Sequence, residues 1–93
     1  MKLGTFTKQP SERLSKSIVY DEALDEGDEI AVVMSCLVDS ADLAVVPTLV
    51  DGNRVRLWVS SGVDGAIYKI TVRVQTAGGE IFEDELFCRV REV

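Results

Sequence analysis

Apolar and polar residues alternate along two neighbouring segments near the end of the chain. Every second residue from Tyr68 to Val74 is apolar, and a similar alternation runs from Phe82 to Val90 after a turn at residues 77–79. A period of two is typical of a strand with one buried face. We therefore predict a β-hairpin with these inward side chains: Tyr68, Ile70, Val72, Val74, Phe82, Leu86, Cys88 and Val90.

Three segments upstream of this hairpin also carry strand patterns. Residues 54–60 alternate cleanly, with Val55, Leu57 and Val59 inward and Trp58 on the polar face. Residues 43–50 contain Pro47, and because proline has no N–H to donate to a ladder, we predict an edge strand or a bulge there. Residues 30–38 predict a strand with these side chains on one, inward face: Ile30, Val32, Met34, Cys36 and Val38. The other face is partly apolar too, so a strand covered on both faces is the alternative.

The first 29 residues are less regular. Residues 1–13 are mainly polar, and we predict a polar N-terminal arm or an irregular first strand. Residues 14–20 form a weaker strand pattern. Residues 21–29 hold six acids and no base, and we predict a single helical turn there with Leu24 pointing inward.

Short alternating runs separated by frequent turns indicate an all-β fold. We predict that residues 1–93 form a single domain, an immunoglobulin-like antiparallel β-sandwich of about six to seven strands. The spacing Asp64-x-Ala66-x-Tyr68 is typical of a tyrosine corner, in which the tyrosine hydroxyl bonds the backbone a few residues upstream. Asp84 interrupts the inward set of the last strand, so we predict a bulge or a register change at that residue.

Charge and composition argue against several classes of function. The net charge is −6, and because the acids and bases outside residues 21–29 balance, the excess lies in that acidic segment. An acidic segment repels phosphate, so we predict no nucleic-acid partner. The chain has no histidine, the commonest general base, and we predict no enzyme activity and no catalytic residues. No apolar run approaches the roughly 20 residues that cross a bilayer, so we predict no membrane partner and no signal peptide.

The sequence also gives little support for metal binding or for thiol chemistry. An EF-hand loop beginning at Asp21 would need an acid where Ala23 stands and a glycine earlier than Gly27, so we predict no metal site. We interpret the segment as a solvated acidic connection that keeps the domain soluble or meets a basic partner; a weak divalent site is the alternative. We predict that Cys36 and Cys88 are buried free thiols, because free cysteine packs as a small hydrophobe. The alternatives are a disulfide between the sheets and a reactive thiol.

Trp58 is the side chain most suggestive of a binding surface. One interpretation is that it lies over the sheet, covered by the aliphatic stems of Arg56 and Arg73. The other is that it anchors a contact between subunits, since tryptophan and arginine are enriched at binding hot spots. We predict that outward apolar side chains extend the same patch, which gives this candidate interface: Trp58, Arg56, Phe87, Val33 and Leu37.

Short motifs spread along the chain resemble a family of small phage and prophage proteins described as fibre-tail adaptors or minor virion proteins. The motifs are these: Phe6-Thr7-Lys8-x-Pro10, Tyr20-Asp21, Leu24 before Gly27-Asp28-x-Ile30, Leu57-Trp58-Val59-Ser60-Ser61-Gly62, Gly65-x-x-Tyr68-x-Ile70-Thr71, Thr76-Ala77-Gly78-Gly79 and Arg89-Val90-Arg91-Glu92. Members tend to carry a further tryptophan near the position of Ala23 and Leu24, which this chain lacks.

The resemblance implies a sandwich that works by assembly, without catalysis or a cofactor. The implied partners are other virion or tail proteins, with self-association as a further option. The implied location is the host cytoplasm during assembly and then the virion. The alternative is a carbohydrate- or cell-surface-binding immunoglobulin-like module, since sandwiches also serve that role.

Overall fold

Seven β-strands in two sheets make up the described part of the chain. The computed structural model describes residues 1–92. The strands are β1 (Lys2–Lys8), β2 (Leu14–Val19), β3 (Ile30–Val38), β4 (Leu43–Asp51), β5 (Arg54–Ser61), β6 (Ile67–Thr76) and β7 (Ile81–Val90). A four-stranded sheet has the order β1-β7-β6-β3, and a three-stranded sheet has the order β2-β5-β4. Neighbouring strands are antiparallel except β1 and β7, which are parallel.

This arrangement confirms the predicted immunoglobulin-like sandwich. The β6–β7 hairpin lies beside β3 in one sheet, while β5 lies between β2 and β4 in the other, as in the two sheets of immunoglobulin domains. β4 is an edge strand, as Pro47 predicted. In the acidic segment, the Leu24 N–H donates to the Tyr20 carbonyl at 3.0 Å, and the Leu24 side chain packs against the core as predicted.

The core lies between the sheets and is built mainly from alternating positions. Val55, Leu57 and Val59 of β5 are fully buried, as the pattern of that strand predicted. Removing such side chains from water is the main force that holds the two layers together. The buried core consists of these residues: Ile18, Tyr20, Ile30, Leu43, Val55, Leu57, Val59, Tyr68, Ile70, Val72, Val74, Leu86, Cys88 and Val90.

The predicted tyrosine corner is confirmed at the start of β6. The Val63 backbone N–H donates to the Tyr68 hydroxyl oxygen at 2.9 Å, and the Tyr68 ring is buried. Gly62 lies beneath this ring with φ +101°, and a β-carbon on Gly62 would meet Val90 Cγ2 at 2.7 Å. The corner therefore requires glycine at residue 62 for both its backbone conformation and its close packing.

The predicted inward set of β3 is partly wrong. β3 shifts register against β6 twice, once before Val32 and once before Ser35. A bulge adds one residue to a strand and so moves the following side chains to the other face. Val33 therefore packs against the core, whereas Val32 and Met34 are 46% and 43% exposed. The rest of the predicted set faces inward: Ile30, Cys36 and Val38.

The predicted bulge or register change at Asp84 is wrong as well. β7 pairs with β6 in an unbroken register from Ile81 to Arg89, with Asp84 opposite Val72. Asp84 therefore keeps its inward direction and is only 6% exposed. The strand accommodates this carboxylate because Asp84 lines an open groove at the side of the sandwich.

Candidate docking surfaces

Trp58 lies near the centre of the outer face of the three-stranded sheet. It stands on the middle strand, β5, directly opposite Ser15 of β2 and Val46 of β4. Two guanidinium groups cover its ring, with Arg13 Cζ 4.2 Å and Arg56 Cζ 5.9 Å from the ring centroid. Both distances permit a cation–π attraction, which leaves the indole half-buried but reachable from solvent.

The prediction that Arg73 helps to cover Trp58 is wrong. Arg73 belongs to β6 in the other sheet, where its Nε is 3.8 Å from Glu83 Oε1. Arg13, which precedes β2, takes its place over the indole. This surface, formed by Arg13, Val46, Arg54, Arg56 and Trp58, is called the Trp58 face below.

The arginines of the Trp58 face have no acidic partner in the described part of the chain. Within residues 1–92, none of the ion pairs includes Arg13, Arg54 or Arg56. Arg54 and Arg56 also each hold a buried Nε that has no hydrogen-bond partner in the described part of the chain. A buried donor without an acceptor costs free energy. The Trp58 face is therefore a local basic patch on a chain of net charge −6.

The outer face of the four-stranded sheet has a different character. Lys69 Nζ lies 3.4 Å from Glu85 Oε1, and Arg73 pairs with Glu83 as described. The Lys2 ammonium lies 4.9 Å from the centroid of the Phe87 ring. The charges on this face largely compensate one another across neighbouring strands. It therefore has fewer charged side chains without an opposite charge nearby than the Trp58 face.

The five residues of the predicted interface do not form one patch. Trp58 and Arg56 lie on the three-stranded sheet, whereas Phe87 and Leu37 lie on the outer side of the four-stranded sheet. Leu37 is 65% exposed, but Val33 turns inward because of the β3 bulges. The two outer faces of a sandwich point in opposite directions, so the prediction of a single continuous patch is wrong.

A groove opens at the side of the sandwich, and sequence reasoning missed it. Its volume is about 280 Å³. Asp84 and Tyr20 line it, and the Tyr20 ring stacks on Phe82 with the centroids 6.0 Å apart. Asp84, an acid among the apolar inward residues of β7, was the feature of the sequence that could have indicated the groove. The apolar walls are formed by these side chains: Leu3, Ile18, Val19, Ala23, Ile81 and Phe82.

Burial perturbs both polar groups of this groove. Tyr20 is 3% exposed, and burial together with the neighbouring Asp84 charge raises the pKa of the Tyr20 hydroxyl. Burial also raises the pKa of Asp84, although the terminal amino group of Met1, 3.8 Å from Asp84 Oδ1, opposes this effect. Each group is therefore held in the neutral form more strongly than it would be in water.

The remaining candidate chemistry is structural in character. No cluster suited to holding a metal ion occurs in the described residues. Asp28 instead accepts backbone hydrogen bonds from Glu29 at 2.8 Å and from Gly78 at 3.0 Å. The bond from Glu29, then one with the Thr76 side chain and then that from Gly78 lower the pKa of Asp28. Both cysteines are free thiols, with Cys88 buried and Cys36 half-buried, and burial raises the pKa of each.

Among residues 1–92, no helix has the length and apolarity needed to span a bilayer.

The fold and these surfaces define a small immunoglobulin-like sandwich with an aromatic and basic outer face and a groove at its side. The model of the Gp77 family, described as podophage GP4 fiber-tail adaptor protein gp77, matches residues 8–89, and the chain belongs to this family. This match confirms the resemblance to phage fibre-tail adaptors. Comparison with curated proteins gave no match.

Membership of this family defines the role of the chain in general terms. The protein is a structural component of a phage virion, and an adaptor binds other tail or fibre proteins. The match extends from the end of β1 into β7 and so includes Trp58 and the strands that carry it. It gives no support to the alternative of a carbohydrate-binding module.

Proposed function

We propose that the protein is a non-enzymatic adaptor and that the Trp58 face binds a tail or fibre protein. The observation that carries this proposal is an indole flanked by Arg13 and Arg56, neither of which has an acidic partner among the described residues. Tryptophan and arginine dominate binding hot spots, and guanidinium groups form strong bidentate bonds with carboxylates. The complementary partner surface is an apolar recess rimmed by aspartate and glutamate.

Other parts of the proposal concern the setting of this contact. The acidic charge of the chain supports a role without nucleic acid, because it repels phosphate. The adaptor family supports incorporation into the virion, and we propose that this follows assembly in the host cytoplasm without a membrane partner. Phe87 and Leu37, on the opposite face, are candidates for a separate contact such as self-association.

The test is a binding measurement with tail and fibre proteins of the same phage. We expect Trp58→Ala to weaken the affinity about 30-fold or more, as for a hot-spot residue, while the circular dichroism spectrum stays unchanged. Phe87→Ala is the matched control, since it removes an aromatic side chain from the other outer face. Equal affinities for the wild type and Trp58→Ala, or an equal loss in both variants, would contradict the proposal.

A further inference from the structure

The groove beside β2 contains two neighbouring buried polar groups, the Tyr20 hydroxyl and the Asp84 carboxylate. Tyr20 is 3% exposed, and its hydroxyl has no hydrogen-bond partner in residues 1–92. Asp84 is 6% exposed and forms an ion pair at 3.8 Å with the terminal amino group of Met1, which also lines the groove and donates a hydrogen bond to the Glu83 carbonyl. Buried polar groups are normally satisfied, so the Tyr20 hydroxyl has room for a partner, and the Met1 contact shows that the groove accepts a cation at Asp84.

The fold itself does not require an acid at residue 84. β7 runs in regular register with β6 through this position, and the residues on either side in the inward set, Phe82 and Leu86, are apolar. An apolar side chain would continue that set without the cost of burying a carboxylate. The acid therefore fits a binding role better than a packing role.

The walls of the groove suit the stem of a long side chain. They are apolar, and at the mouth Leu3, Val19 and Ile81 are 41%, 58% and 47% exposed. The volume of about 280 Å³ lies just below the range of drug-sized ligand sites, which favours a single side chain over a cofactor. Lysine and arginine place an aliphatic stem on apolar surface and a charged head at a polar group.

The strands that border the groove leave room for an extended chain. Among the described strands, β1 pairs only with β7, and β2 pairs only with β5. Each therefore has a free edge on the groove side of its sheet, and free edges accept extended segments of partner proteins.

We propose that this groove binds a lysine or arginine side chain carried on an extended segment of a partner protein. The cationic head takes the place of the Met1 amino group at the Asp84 carboxylate, beside the Tyr20 hydroxyl, and the stem lies between Leu3, Val19 and Ile81. The proposal takes only the class of partner, another phage protein, from the adaptor role. It does not depend on the Trp58 face.

The test uses two short peptides that differ in one side chain, acetyl-Thr-Val-Lys-Val-Thr-amide and the same peptide with norleucine in place of lysine. Each is titrated into the ¹⁵N-labelled protein, and shifts of the Tyr20, Ile81 and Asp84 amides report on the groove. We expect the lysine peptide to bind about tenfold or more tightly than the norleucine peptide, because a charge-assisted bond forms only with lysine.

Matched variants separate the possible outcomes. Asp84→Asn should abolish the preference for lysine and Tyr20→Phe should reduce it, whereas Trp58→Ala should leave it unchanged even if the proposed Trp58 contact fails. Equal binding of the two peptides, or a preference that persists in Asp84→Asn, would overturn the proposal. Self-association that disappears in Asp84→Asn, measured by sedimentation, would assign the groove to a second copy and would also overturn it.

Discussion

Replacing Gly62 by alanine tests the close packing of the corner that joins the two sheets. Gly62 has φ +101°, and its β-carbon would lie 2.7 Å from Val90 Cγ2 and 3.1 Å from Leu43 Cδ1. The left-handed backbone costs an alanine about 1–2 kcal/mol. Forcing a methyl group into a filled site adds about 1–3 kcal/mol. Gly62→Ala should therefore lower the free energy of unfolding by about 2–5 kcal/mol.

Gly79→Ala is a matched control that separates these two costs. Gly79 has nearly the same φ, +98°, but a β-carbon there would meet no atom within 4 Å. This variant carries the backbone cost alone, so we expect a loss of about 1–2 kcal/mol. The difference between the two variants measures the steric conflict with Val90 and Leu43.

Urea denaturation gives both free energies of unfolding, provided that the dependence on urea concentration stays the same in each variant. Thermal melting is a second measure, since each kcal/mol shifts the midpoint by about 4–8 °C for a domain of this size. If Gly62→Ala were no less stable than Gly79→Ala, the corner would have room for a methyl group, and the reasoning from the 2.7 Å contact would be refuted.

Three further substitutions or treatments have defined outcomes. Tyr68→Phe removes the oxygen that accepts the 2.9 Å hydrogen bond from the Val63 N–H, so it should lower the free energy of unfolding in urea by about 0.5–1.5 kcal/mol. An unchanged free energy of unfolding would contradict the tyrosine corner. Asp84→Asn should raise the free energy of unfolding at neutral pH. The pKa of Asp84 is raised in the folded protein, so its contribution to the stability of the wild type is complete below the ordinary carboxyl pKa of 3.8 and is lost as the pH rises through the raised value. Asparagine does not ionise and avoids this loss. In unfolding measured from about pH 4 to about pH 8, the difference in free energy of unfolding between Asp84→Asn and the wild type should grow with pH. A difference that does not change with pH would contradict the raised pKa of Asp84. A thiol reagent should label half-buried Cys36 before buried Cys88, and equal rates in the folded protein would contradict the burial of Cys88.

The sequence predicts strands well where only one register buries the apolar face. In β5 and β6 the alternation is unbroken, and Leu57 and Val72 are fully buried as expected. β3 is apolar on both faces, so its alternation alone does not choose the inward set. The bulges that put Val33 inward depend on pairing with β6, a strand distant along the chain, and local periodicity carries no information about that pairing.

The candidate site was harder to predict because it depends on which sheet each strand joins. Trp58 and Phe87 both alternate outward, and that pattern is the same for either sheet. Only the strand order separates them, and it also explains why Arg13 rather than Arg73 covers the indole. The groove was missed because it forms between β2 and the β1–β7 pair, which are brought together only by the packing of the two sheets.

An adaptor must hold two partners at once, so it needs two surfaces that do not compete. The Trp58 face is basic and lies on the outside of the three-stranded sheet, whereas the groove holds a buried acid and opens between the sheets. A partner complementary to one of them carries the wrong charge for the other, because like charges brought together disfavour binding. Trp58→Ala and Asp84→Asn should therefore release different partners. A single partner lost in both variants would instead show that it covers both surfaces, and the chain would then need a further surface to join anything to that partner.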